Sequence, residues 1–157
     1  MAREPWLTDA QQRVWRDFLQ VSGQLHERLE RELQQAAGMP HAYYQILAML
    51  SEAEGRRLRM SQLAHVLRAS QSRTSHAVNR LEEAGWVRRE PTPEDGRGQT
   101  AVLTDAGWDR LVEVAPGHAE SVRSIMFDGL TETETQKFGA VLDKILQRMG
   151  PESPDCP

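Results

Sequence analysis

The chain has 157 residues, 39% of them hydrophobic and 27% charged, with a formal net charge of −4, which is ordinary for one soluble domain with or without an oligomerisation appendage. No apolar run approaches the roughly 20 residues that a membrane span needs, and no export signal is visible in Met1-Ala2-Arg3-Glu4-Pro5. The single cysteine, Cys156, sits in Gly-Pro-Glu-Ser-Pro-Asp-Cys-Pro and excludes a disulfide framework and a cysteine metal cluster. A cytoplasmic protein with no membrane partner is expected.

Thr8-x-x-Gln11 has the spacing of a capping box and opens a long periodic segment. Val14, Phe18, Val21, Leu25, Leu29 and Leu33 form one stripe on a helix that ends near Gly38. So long a stripe cannot be buried by a domain this small, which calls for a second copy of the chain. Pro40 suits the first turn of a second helix, with Tyr43, Ile46, Leu47 and Leu50 on its apolar side and Gly55 beyond its end. Ser61 reads as the cap of a short helix carrying Leu63, Ala64, Val66 and Leu67. Ser70 reads as the cap of the next, with Ala77, Val78, Leu81 and Ala84 facing inward and Gly85 just past its end. Two short helices joined by a tight turn at Arg68-Ala69-Ser70 make a helix-turn-helix.

After Gly85 the period changes. Residues 86–90 and 100–103 read as two strands around a tip from Pro93 to Gln99. A helix-turn-helix followed by a hairpin is a winged helix. Thr104 then caps a helix of about twenty residues, interrupted or bent near Pro116-Gly117. Thr131-x-x-Glu134 is a second capping box, leading into Phe138, Val141, Leu142, Ile145, Leu146 and Met149.

The expected fold is thus mainly α with a small β-hairpin wing, a winged helix-turn-helix core flanked by N- and C-terminal dimerisation helices. Residues 1–38 form the first dimerisation helix and 39–103 the DNA-binding region. Residues 104–150 form the C-terminal dimerisation helices, and 151–157 a disordered tail. Two-fold symmetry is the common way to pair such terminal helices.

The charge is unevenly spread. Residues 56–97 contain nine arginines (56, 57, 59, 68, 73, 80, 88, 89, 97) against five acids, a net +4, while the rest of the chain nets −8. Arginine suits bidentate contacts to phosphate and guanine. If Ala77, Val78, Leu81 and Ala84 face the core, then Gln71, Arg73, Thr74, His76 and Arg80 lie on the outer side of the second short helix. There they can reach base edges and phosphates, with the Ser70-capped N-terminus favouring a phosphate.

The segment from Leu58 to Gly107 resembles the winged-helix core of the MarR family of bacterial transcription regulators. The matching residues are Met60-Ser61-Gln62-Leu63-Ala64, the run from Arg80 to Arg89 (RLEEAGWVRR), and Asp95-Gly96-Arg97-Gly98 followed by Leu103-Thr104 and Gly107. The flanking helices agree in order and length. The resemblance implies a homodimer, interlocked through its first and last helices, that acts as a repressor on double-stranded palindromic DNA. It also implies a wing arginine entering the minor groove, braced by an aspartate, roles that fall on Arg97 and Asp95. The physics is compatible, since glycines flanking Arg97 permit close backbone approach, a narrow minor groove attracts arginine, and a nearby carboxylate can hold a guanidinium by a bidentate bond.

Many family members release DNA when a small, often phenolic, anion binds between the dimer helices and the winged helix. Candidates here are Trp15, His41, Tyr43 and Tyr44, although such rings at helical spacing also serve as packing. The family's redox-sensing branch uses a cysteine near the N-terminus, which this chain lacks. His26, His41, His65, His76 and His118 are scattered in sequence without metal-ligand spacing, so neither a metal nor another cofactor is expected. No nucleotide loop, nucleophile elbow or His-Glu-x-x-His is present, which argues against an enzyme. The alternative is a winged helix that binds only another protein, which the concentration of arginines disfavours.

Overall fold

The structure, a computed structural model, describes residues 6–92 and 95–150, with the side chains of residues 95–97 excepted. The tail 151–157, expected to be disordered, lies outside the described residues, and Cys156 with it. Six α-helices and a small antiparallel sheet are seen among the described residues.

Helix α1 (Asp9–Ala37) opens with the expected capping box. Thr8 Oγ1 accepts from the Gln11 N–H at 3.3 Å, and Gln11 Oε1 accepts from the Thr8 N–H at 3.0 Å. Gly38 ends it in the left-handed conformation, φ 60°, which favours glycine. Helix α2 (His41–Glu52) follows at once. Its N-terminus is capped from another element: Glu30 Oε2 on α1 accepts from the His41 N–H at 2.9 Å. A carboxylate there satisfies an orphan donor and faces the positive end of the helix dipole.

A 3-10 turn (Glu54–Arg56) leads into strand β1 (Arg57–Arg59), which the sequence did not reveal. Three residues are too short to carry a period, and β1 exists through its pairing with β3. Helix α3 (Met60–Val66) starts one residue before Ser61, which is therefore not its cap. The Gln62 side chain instead accepts from the Arg59 N–H at 3.1 Å. Helix α4 (Gln71–Glu83) is capped by Ser70, whose Oγ accepts from the Arg73 N–H at 3.3 Å.

Strands β2 (Val87–Thr92) and β3 (Asp95–Leu103) form the hairpin, and the sheet order is β1-β3-β2. The strands run further toward the tip than the sequence suggested, leaving only residues 93–94 between them. Val87 pairs with Leu103 and Glu90 with Thr100, and the register shifts at Pro91/Thr92. Helix α5 (Asp105–Met126) is capped by Thr104 and runs unbroken through Pro116, so that of the interruption or bend expected there the interruption is absent. The carbonyl that Pro116 leaves unpaired is that of Val112, one turn back; both residues are exposed, so water can satisfy it. Helix α6 (Glu132–Met149) begins with the Thr131/Glu134 capping box.

One core cluster joins α2, α3, α4, the sheet and the start of α5: Ile46, Leu47, Leu50, Leu63, Val78, Leu81, Val87, Ala101, Leu103 and Leu111, with Met39 from the α1–α2 turn. Ala77 packs at its edge. Ala84, expected to face inward, is exposed, because α4 already ends at Glu83. The terminal helices differ from this core. On α1 only Leu29 and Leu33 are buried, while Val14 is 68% exposed and Phe18 and Val21 are exposed as well. Helix α6 buries no residue, and Met149 at the end of its stripe is 69% exposed.

Candidate nucleic-acid interface

The chain between α3 and α4 turns on Arg68, whose φ of 51° lies in the left-handed region. The Arg68 N–H reaches the His65 carbonyl and the Ala69 N–H the Ala64 carbonyl, both at 3.0 Å. This closes α3 and delivers Ser70 as the cap of α4. Buried Thr74, Val78 and Leu81, spaced four and three residues apart, fix the inner face of α4.

That face decides which candidates look outward. Gln71, Arg73, His76 and Arg80 are exposed, as is Ser70 at the cap. Thr74 is not. At 2% exposure it lies on the core stripe, one turn before Val78, and the expectation that it shares the outer face is corrected. Its Oγ1 is buried without a hydrogen-bond partner among the described residues. Asn79, three residues after His76, is exposed and was not among the sequence candidates.

The arginines divide sharply by what they touch. Glu90 holds Arg57 Nη2 at 3.1 Å and Arg88 Nη2 at 2.7 Å, and Arg88 in particular keeps the Glu90 carboxyl below its ordinary range. Arg89 donates through Nη2 to the Ser75 carbonyl at 2.9 Å, and its backbone N–H donates to Glu82 Oε1 at 2.9 Å. Strand β2 is thereby tied to α4 both at Ser75 and near its C-terminal end at Glu82. Arg80 reaches Glu83 at 2.9 Å. Arg56 lies 4.2 Å over the Trp108 ring. Arg73 makes no ion pair among the described residues. The basic excess of residues 56–97 is therefore partly consumed inside the fold, where Arg57, Arg80, Arg88 and Arg89 already have partners. Asp95 and Arg97 lie on the first residues of β3 beside the tip; their side chains are outside the described ones.

The wing is anchored at its base. Thr104 Oγ1 donates to the Gly85 carbonyl at 2.7 Å, and the Thr104 N–H donates to the Trp86 carbonyl at 3.1 Å. The end of β3 is fastened in this way to the end of α4. Buried Thr92 and Thr100 share a hydroxyl contact of 3.1 Å across the hairpin.

The four ligand candidates do not form one site. Trp15 stacks on Phe18 at 6.2 Å on the exposed part of α1, roughly 16 Å along the helix from His26. Tyr43 packs against the core. His41 and Tyr44 come together with two residues that sequence spacing could not link to them. The His41 ring lies 5.7 Å from His26 and 5.3 Å from His118, and the His118 ring lies 4.2 Å from Tyr44. The histidines scattered in sequence are thus partly gathered in space, although no group among the described residues has a metal-binding arrangement. His41 is 7% exposed, and the Nδ1 atoms of His41 and His118 are buried without a hydrogen-bond partner among the described residues. Burial holds the His41 imidazole below the ordinary histidine range, His118 and His26 add to this, and Glu30 opposes it; burial lowers His118 too. Burial also pushes the Tyr44 phenol up. Beside this cluster, a cleft of about 460 Å³ opens between α1 and α5, lined by Leu29, Leu33, Arg110, Val114, His118 and Ser121 among others.

A model of the MarR family matches residues 37–98, from the last residue of α1 into the first part of strand β3. The fold is similar over its whole length to that of Sco3205, a MarR family transcriptional regulator from Streptomyces coelicolor solved in complex with DNA. Identity is 44% and the TM-score 0.89, over 100% of this chain and 98% of that one. AbsC, a MarR family regulator from the same organism, is 41% identical with a TM-score of 0.84, over 94% of this chain and 98% of that one. Among curated relatives, the transcriptional regulator PecS of Dickeya dadantii is 33% identical over 85 residues, 54% of this chain. The transcriptional repressor MprA of Escherichia coli is 25% identical over 73% of this chain. The matches span 51% of the length of PecS and 64% of that of MprA.

Proposed function

The chain belongs to the MarR family of transcriptional regulators, and from that premise we propose that it is a homodimeric repressor binding a palindromic operator in double-stranded DNA. The observation that carries the reading is α4, which keeps Thr74, Val78 and Leu81 inside while Ser70, Gln71, Arg73, His76 and Arg80 stand outward beside a wing. Arg73 and its neighbours near the N-terminus of α4 read base edges in the major groove, and the capped terminus receives a phosphate. Arg97 enters the adjacent minor groove, with Asp95 orienting it. That Sco3205 was solved with DNA supports the same use of the shared fold.

Residues 1–38 and 104–150 serve as dimerisation segments around the DNA-binding region 39–103. The uncovered apolar stripes of α1 and α6 support this, since a second copy would remove both from water. Dimerisation would set half-site centres about 10 bp apart. A small phenolic or anionic effector would bind in the cleft between α1 and α5, next to His118 and the His41–Tyr44 pair. Trp15 and Tyr43 are assigned to packing.

The competing reading, a winged helix that binds only protein, is favoured by one observation: Arg57, Arg88 and Arg89 are engaged within the fold. Salt titration separates the two. Binding to operator DNA should weaken with a log–log slope of about −0.9 per phosphate neutralised. Arg97→Ala should lower affinity while sparing helix content and dimerisation. Salt-insensitive binding, or none to any duplex at low salt, would favour the protein-binding module.

A further inference from the structure

Arg110, on the second turn of α5, reaches two other parts of the molecule while pairing within its own helix. Its Nη2 donates to the Ala37 carbonyl, the last residue of α1, at 2.5 Å. Its Nη1 donates to Glu113 Oε2 at 2.7 Å. Its Cζ lies 5.6 Å from the centre of the Trp86 ring. Trp86 is itself the joint between α4 and the wing, because its N–H donates to the Leu81 carbonyl at 2.9 Å and its own carbonyl accepts from Thr104. One guanidinium therefore spans from the end of the long terminal helix to the joint that carries the proposed reading surfaces.

The arrangement is costly for a residue serving stability alone. The Nε atom of Arg110 is buried without a hydrogen-bond partner among the described residues, and a partly desolvated cation is commonly no more stable than an apolar side chain filling the same space. What arginine adds is direction. Its planar fork donates to two acceptors while its charge lies within cation–π reach of the Trp86 ring, a combination that leucine cannot make and that lysine makes only without the fixed fork.

We propose that Arg110 is a positioning residue that sets the angle of α4 and the wing against the dimerisation helices, and with it the separation of the two recognition helices. This rests on the dimeric regulator reading above. In that dimer each reading head is carried on its own α1–α5 pair. A loose joint at Trp86 leaves the dimer intact and lets the heads vary in separation.

The test uses the full chain with Cys156→Ser and a nitroxide on Asn79→Cys, an exposed position of α4. Pulsed electron resonance without DNA reads the distance between the two labels of a dimer. The unmodified joint should give one narrow distribution, and Arg110→Gln should give one about twofold broader with unchanged helix content. Arg123→Gln, which removes the exposed pair with Glu120 from the same helix, should stay narrow. If Arg110→Gln unfolds the chain, Arg110→Met keeps the aliphatic stem and carries the same comparison.

In unlabelled protein, shifting half-site spacing by one base pair should cost wild type about tenfold in affinity and Arg110→Gln roughly threefold. An unchanged distance distribution, or a uniform affinity loss at every spacing, would overturn the proposal and leave Arg110 a stabilising contact. Absence of any interlabel distance in the unmutated joint would instead remove the dimer, and the proposal with it.

Discussion

The backbone carbonyl of Trp86 occupies the space that a side chain at Gly107 would need: a Cβ there would lie 2.0 Å from the oxygen and 2.8 Å from Leu103 Cδ1. The first turn of α5 is thus pressed against the joint where α4 passes into the wing. Thr104 closes the same joint from the other side, through its bonds to Gly85 and Trp86.

Gly107→Ala should therefore destabilise the chain, because the obstruction is backbone and not the end of a flexible side chain. Overpacking of this kind costs about 1–3 kcal/mol. Thermal unfolding should show a clear drop in midpoint, with residual DNA affinity reduced as well. An unchanged midpoint would mean that the joint yields easily.

Thr74→Val should do the opposite. The hydroxyl is buried and unpartnered among the described residues, and an unsatisfied buried polar group costs about 1–3 kcal/mol. Replacing it with a methyl should leave stability equal or raised, by urea unfolding, and operator preference unchanged. A changed preference would return Thr74 to the DNA face.

Arg73→Ala and Arg88→Ala should separate in a salt titration. Arg73 stands on the outer face of α4, whereas Arg88 is already held by Glu90. Loss of Arg73 should reduce the log–log salt slope by about 0.9 if it meets a phosphate, or change base preference at one position of each half-site if it meets a base. Loss of Arg88 should do neither. Equal effects would show that the ion pair opens on binding.

Acidification should weaken the fold through the histidine cluster. Burial lowers the folded-state affinity of His41 and His118 for protons, so the unfolded chain takes up more protons as the pH falls below about 6.5. The stability tied to these rings is present above that value and is lost as the pH descends through the lower folded values. His26 from α1 adds repulsion at His41, Glu30 from the same helix partly offsets it, and Glu52 acts on neighbouring Tyr44. His118→Phe, which keeps a ring against Tyr44 and cannot be protonated, should flatten the decline in unfolding free energy between about pH 7 and about pH 5. An equally steep decline in the variant would place the acid sensitivity in other groups.

What was legible in the sequence was local. The caps at Thr8, Ser70, Thr104 and Thr131 each involve partners three residues apart, and all four hold. The hairpin was readable because Gly85 breaks one period before another begins. Contacts between distant segments were not readable: strand β1, the Glu30 cap on α2, the histidine cluster and Arg110 on Ala37 have partners set by packing alone. Thr74 misled because a small polar residue beside Arg73 looks like surface, while its place four before Val78 puts it inside. Pro116 could be read only as an interruption or a bend, and of the two the interruption is absent, since α5 continues through it.

The most direct test of the account is selection of bound duplexes from a random pool by the purified full chain, with the oligomeric state followed by sedimentation in the same buffer. The expected result is a dimer that enriches an inverted repeat with half-site centres about 10 bp apart. Enrichment of single half-sites by a monomer, or no enrichment at low salt, would contradict it.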